Sequence, residues 1–99
     1  TKIVDARNEF ISELNKISFI KTYDSQANYI MIKLLNINSS ELTLFLLNNY
    51  NILIKDLSYK DGFEKGNFIR IAVKSKDENR LLISALKDYE ERIIKKWKR

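Results

Sequence analysis

Residues 67–74 read NFIRIAVK. Phe, Ile, Ile, Ala and Val in close succession suit a pleated, half-buried strand. Side chains alternate across a strand, so Ile69, Ile71 and Val73 share one face and Phe68, Arg70, Ala72 and Lys74 the other. A guanidinium therefore sits at the centre of an apolar strand. Two further segments repeat the pattern. NYIMIKL (28–34) sets Ile30, Ile32 and Leu34 against Tyr29, Met31 and Lys33; ILIKDL (52–57) sets Ile52 and Ile54 against Leu53, Lys55 and Leu57. Each of the three strands has an isoleucine-rich face and a cation opposite it: Lys33, Lys55 and Arg70, with Lys74 at the end of the third. Helices are expected over the isoleucine faces, leaving a mixed, cationic face to meet a partner.

The helices are legible on either side. Ala6, Phe10, Leu14 and Ile17 recur at spacings of four, four and three, which predicts a helix over 5–17. FIKTY (19–23) reads as a short extended piece at an edge. NINSS (36–40) breaks the strand pattern, with Ser39 or Ser40 able to cap the helix ELTLFLLNNY (41–50), which ends in the Asn48–Asn49 pair. SYKDGFEKG (58–66) holds both glycines and reads as a loop. Ser75 opens SKDE, a capping box in which Ser75 bonds the Glu78 N–H and Glu78 reaches back. A helix then runs from residue 76 to about 97 with Leu82, Leu86, Tyr89 and Ile93 on its inner stripe. At 1.5 Å per residue it spans roughly 30–35 Å, more than a three-strand sheet needs, so its end is expected to project. The expected fold class is α+β: a mainly antiparallel, three- to four-stranded sheet with helices packed on one face.

The chain has 99 residues, 44% hydrophobic and 31% charged, which suits one folded domain over 1–99. It has no cysteine and no histidine. Disulfides, thiolate or imidazole metal sites and histidine-based catalysis are thereby excluded for these residues. No apolar run approaches a membrane span, and no leader is visible, so a cytoplasmic protein is expected. A chain beginning at Thr1 reads as a piece of something larger. The net charge of +5 is a tail effect. RIIKKWKR (92–99) holds five of the 18 basic residues, and all 13 acids lie at or before Glu91, so residues 1–91 are neutral.

By position, Arg70 admits two readings. In one its stem packs on Phe68 with the head in water; in the other its planar fork awaits a carboxylate or phosphate, and Lys55 on a neighbouring strand adds to the second. KGNFIRIAV (65–73) lacks the aromatic–small–aromatic order of an RNA-binding strand. The tail could meet nucleic acid or an anionic membrane, or its cations could simply complement the helix dipole. A phosphate loop is excluded, since Gly62 and Gly66 are the only glycines. Asp24 and Asp56 are isolated acids with no partner for acid–base work.

Four segments in order resemble the C-terminal small domain of pyridoxal-phosphate aminotransferases of fold type I, in the histidinol-phosphate aminotransferase and threonine-phosphate decarboxylase branch. They are RNEFISELNKI (7–17), YDSQANYIMIKL (23–34), LLNNYNILIKDLS (46–58) and NFIRIAVKSKDENRLLISAL (67–86). The resemblance covers about residues 6–90. It implies that Arg70 pairs with the substrate α-carboxylate, and that Lys55 stands where this branch often has a second arginine facing the substrate's far end. Lysine keeps the charge there and loses the fork. Asn51 stands where the family often has glycine before the strand, and Asn tolerates the left-handed conformation next best.

The family's cofactor-binding lysine, the Asp that pairs with the pyridine nitrogen and the stacking aromatic belong to a large domain that nothing in this chain matches. The resemblance therefore implies a fragment without catalytic residues. It would serve a larger, usually dimeric enzyme by closing over an amino-acid substrate and supplying Arg70, with pyridoxal phosphate held elsewhere. A different class also fits the residues: a stand-alone binding module using the cationic sheet face and the basic C-terminal helix for an anionic partner such as nucleic acid.

Overall fold

The isoleucine faces decide the architecture. In a computed structural model, which describes the backbone of residues 2–23, 28–57 and 67–97 and the side chains of 6–23, 28–57 and 67–96, the elements run α1 (Lys2–Leu14), β1 (Ile20–Thr22), β2 (Tyr29–Leu34), α2 (Ser39–Tyr50), β3 (Lys55–Asp56), β4 (Phe68–Ala72) and α3 (Lys76–Trp97). The four strands form one sheet in the order β1-β2-β4-β3, with every neighbouring pair antiparallel. The expected α+β class holds, with four strands. The stretch 58–66, expected as a loop, lies outside the described residues, as do Asp24 and the side chain of Trp97.

Ile30, Ile32 and Leu34 on β2 and Ile69 and Ile71 on β4 are all buried on one face. The helices cover that face. Phe10 and Leu14 on α1, Leu42 and Leu46 on α2, and Leu82, Ile83, Ala85 and Leu86 on α3 complete a single core with Ile17, Phe19, Ile20, Ile37 and Ile54. Tyr89 and Ile93, the outer half of the expected α3 stripe, pack on it partly buried. Beyond them Ile94, Lys95 and Lys96 are exposed.

Three expectations are corrected. The helix expected over 5–17 ends at Leu14; Ile17 stays in the core from a following turn, its N–H donating to Leu14 O at 3.1 Å. The strand expected over 52–57 pairs only at Lys55 and Asp56, and Leu57, expected beside Lys55, is buried at 3% exposure. The alternation slips because Ile54 and Leu57, three apart, both turn inward. Asp56 between them is held by α2: Ser39 Oγ and Ser40 Oγ donate to its two carboxylate oxygens, each at 2.8 Å. That explains the third correction. Ser39 and Ser40 are engaged with Asp56, and the N-cap of α2 is Asn38, whose side chain accepts the Glu41 N–H at 3.0 Å.

The turns that aim the strands are built on asparagine. Asn36, Asn51 and Asn67 have φ of 62°, 55° and 49°, the left-handed region that costs other non-glycine residues most. Asn51 closes α2, its N–H donating to Leu47 O, while the Ile52 N–H reaches Leu46 O. The first half of the Ser75 box forms as expected, the Glu78 N–H donating to Ser75 Oγ at 3.2 Å; in place of a return to the backbone, the Glu78 carboxylate accepts from the same hydroxyl at 3.2 Å. Buried Asn79 then clamps the β4–α3 turn, accepting from Lys74 N at 2.9 Å and donating to Lys74 O at 3.0 Å.

Candidate functional site

The face of the sheet away from the helices carries the charge. Arg70 lies at the middle of β4, paired across to Met31 on β2 and to Lys55 on β3. Lys33, two residues from Met31, is paired with Lys21 on the outer strand β1. Directly opposed residues of an antiparallel pair share a face, so Lys21, Lys33, Arg70 and Lys55 give each strand one cation on this side. Lys33 and Arg70 are half-buried, and Lys21 and Lys55 exposed.

Aromatic rings stand between them. The Arg70 guanidinium carbon lies 4.7 Å from the centroid of the Tyr29 ring. Lys21 Nζ lies 5.4 Å from the centroid of Tyr23, and the Tyr23 and Phe68 rings are 5.8 Å apart. Among the described residues, no acid forms an ion pair with any of the four cations. Asp56 is next to Lys55 in sequence, but its carboxylate accepts from the α2 serines. A shallow cleft of about 520 Å³ runs beside Arg70, with Asn28, Tyr29, Leu53 and Lys55 on its rim.

The sheet thus brings together both residues singled out in the sequence, Arg70 and Lys55, as direct cross-strand partners. The sequence reading missed Lys21 and the contact of Tyr29 with Arg70. The signal for Lys21 was present in FIKTY, where it alternates with Ile20 and Thr22, but its face depends on the β1–β2 register. Chemically this is a binding surface: a guanidinium fork can take a carboxylate or phosphate in bidentate fashion, and an ammonium beside it acts as a second, less directional charge.

Groups whose ionisation the fold displaces lie in the helical layer. The Tyr50 hydroxyl donates to Asp88 Oδ2 at 2.6 Å, and Arg92 Nε lies 3.3 Å from Oδ1. The tyrosine hydrogen bond, then Arg92, hold Asp88 below the usual carboxylate value, and the same bond raises Tyr50. Arg92 also lies over Phe45, 5.1 Å from its centroid, so two expected tail cations, Arg92 and Lys95 (3.5 Å from Glu91), have partners on α3 itself. No group of histidine, cysteine, aspartate or glutamate that could hold a metal occurs among the described residues. No described helix is long and apolar enough to cross a membrane.

The chain superposes on the histidinol-phosphate aminotransferase of Clostridium acetobutylicum with a TM-score of 0.84 and 34% identity, over 91% of this chain and 27% of that one. It superposes on the L-threonine-O-3-phosphate decarboxylase of Porphyromonas gingivalis with a TM-score of 0.82 and 28% identity, over 91% and 27%. By sequence it is 35% identical, over 92% of its length, to the histidinol-phosphate aminotransferase of Hydrogenobaculum sp., of which it covers 25%. By sequence it is also 39% identical, over 80% of its length, to the adenosylcobalamin biosynthesis bifunctional protein CobDQ of Leptospira interrogans, of which it covers 9%. No family model matches the chain. It spans about a quarter of the length of the histidinol-phosphate aminotransferases it matches, and it corresponds to their C-terminal part. The α+β sheet with one helical layer is the small-domain architecture of these aminotransferases and decarboxylases.

Proposed function

We propose that residues 1–99 are the C-terminal small domain of a larger pyridoxal-phosphate-dependent enzyme of the aminotransferase class, that the domain closes over an amino-acid substrate, and that Arg70 receives the substrate's α-carboxylate. The observation that carries the proposal is the state of Arg70. It is central on the open face, half-buried beside a cleft, and has no acidic partner among the described residues. Lys55, directly across from it, faces the other end of the substrate as a point charge.

The residues present do not fit the cofactor itself. Among the described residues the open face offers no carboxylate to oppose a pyridine nitrogen, because Asp56 is taken by Ser39 and Ser40. The cofactor and the proton transfers belong to the enzyme's large domain, and the contribution of this chain is to bind and orient. Closure expels water, and in the drier site a guanidinium–carboxylate pair is stronger than on the exposed face. Dimerisation of the whole enzyme is part of the same proposal, since enzymes of the kind it resembles are usually dimers.

The test is Arg70→Ala in the whole enzyme. Truncating one partner of a desolvated charge pair costs roughly 2–5 kcal/mol, so kcat/KM for the amino acid falls by roughly 30- to 5,000-fold. Unchanged kcat/KM sinks the proposal. Residues 1–99 alone are expected neither to bind pyridoxal phosphate nor to show its absorbance.

A further inference from the structure

Arg70 is set among like charges. Lys55 lies directly opposite on β3, and Lys33 lies two residues from its β2 partner Met31. Left to electrostatics alone, a flexible guanidinium here would swing into solvent. The Tyr29 ring, 4.7 Å away, gives it another place to rest. Tyr29 pairs with Ala72 and Met31 with Arg70, so Tyr29 is the diagonal neighbour, within reach of a long side chain. Its backbone is fixed by its pairing with Ala72 and, one residue earlier, by the Val73 N–H donating to Asn28 O at 2.9 Å. The ring is half-buried.

The donors of a guanidinium lie in its plane. Lying over a ring, it satisfies its cationic surface without spending a hydrogen-bond donor on it. We propose that Tyr29 is the positioning residue of Arg70: its ring holds the guanidinium so that the fork, rather than the flat face, meets the carboxylate in the cleft. This rests on the carboxylate role of Arg70 argued above. The ring and not the hydroxyl does the work, for the hydroxyl has no hydrogen-bond partner among the described residues. Phenylalanine is therefore a working replacement and leucine is not.

The whole enzyme is assayed as Tyr29→Leu, Tyr29→Phe and Arg70→Ala, with an amino-acid substrate and with the matching amine that lacks the carboxylate. Cation–π contacts of this kind lead us to expect that Tyr29→Leu raises KM for the amino acid about three- to tenfold with kcat within twofold, the signature of lost uniform binding. The amine is unaffected and Tyr29→Phe matches the native enzyme. The Arg70 Nε–H resonance, displaced by the ring current, moves in Tyr29→Leu and stays in Tyr29→Phe. If Arg70→Ala raises KM while Tyr29→Leu leaves it unchanged, the positioning role is overturned and the carboxylate role stands. If Tyr29→Leu weakens amino acid and amine alike, Tyr29 is merely structural and the proposal falls. If Arg70→Ala changes nothing, both roles fall together, and an unmoved Nε–H resonance overturns the stacking independently of any substrate.

Discussion

Lys55 and Arg70 are directly opposed on β3 and β4, so a two-residue strand is joined to the sheet through a pair of like charges. Such pairs destabilise a sheet by roughly 0.2–1 kcal/mol. Lys55→Gln is therefore expected to raise the stability of the domain by a few tenths of a kcal/mol in urea unfolding at low salt. The gain should shrink as added salt screens the pair. In the whole enzyme the same change is expected to weaken substrates with an anionic far end and to spare those without one. A loss of stability on Lys55→Gln would count against the like-charge account.

Asp56 ties the edge strand to the start of α2. Ser39, at 1% exposure, donates to one carboxylate oxygen and Ser40 to the other. Asp56→Ala leaves the buried Ser39 hydroxyl without its acceptor, a penalty of about 1–3 kcal/mol. Equilibrium unfolding should show that loss, and Asp56→Asn, which keeps one acceptor oxygen, should lose less.

Asn51 holds a left-handed conformation at the end of α2. Asn51→Ala is expected to cost about 1 kcal/mol, because a Cβ without a local polar partner is crowded there. Asn51→Gly should lie within a few tenths of the native stability. Thermal unfolding of the pair checks the order; alanine equal to glycine would contradict it.

Tyr50 and Asp88 give the helical layer a pH signature. Asp88 has a folded pKa below its ordinary value, so its contribution is full above the unfolded carboxylate pKa and is lost as pH falls through the lower, folded one. Tyr50 has a raised pKa, so its contribution is full below the unfolded phenol pKa and is lost as pH rises through the higher, folded one. Tyr50→Phe should flatten the alkaline limb of a stability–pH curve and part of the acid limb, the Arg92 contact to Asp88 remaining. An unchanged curve would mean that the hydrogen bond contributes nothing in solution.

The central strands were readable in the sequence because each keeps its alternation over five or six residues against a core. β3 was not. The segment ILIKDL promised six residues of strand, whereas Asp56 is drawn to two serines some sixteen residues earlier and the alternation stops there. The cap of α2 failed for the same reason. Asn38, Ser39 and Ser40 are all competent, and the choice is made by a distant carboxylate. Arg70 and Lys55 could be singled out one strand at a time. Their being directly opposed, the place of Lys21 on the same face and the seat of Arg70 on Tyr29 are properties of register, which no single strand reveals.

The two outer strands have a consequence of another kind. β1 is three residues long with Lys21 at its middle, and β3 is two residues long and begins with Lys55. Short edges that carry lysine make poor templates for strand addition. A domain whose ring-bearing sheet face is covered by no described helix is thus protected from lateral extension into its own copies, and a partner for that face arrives broadside.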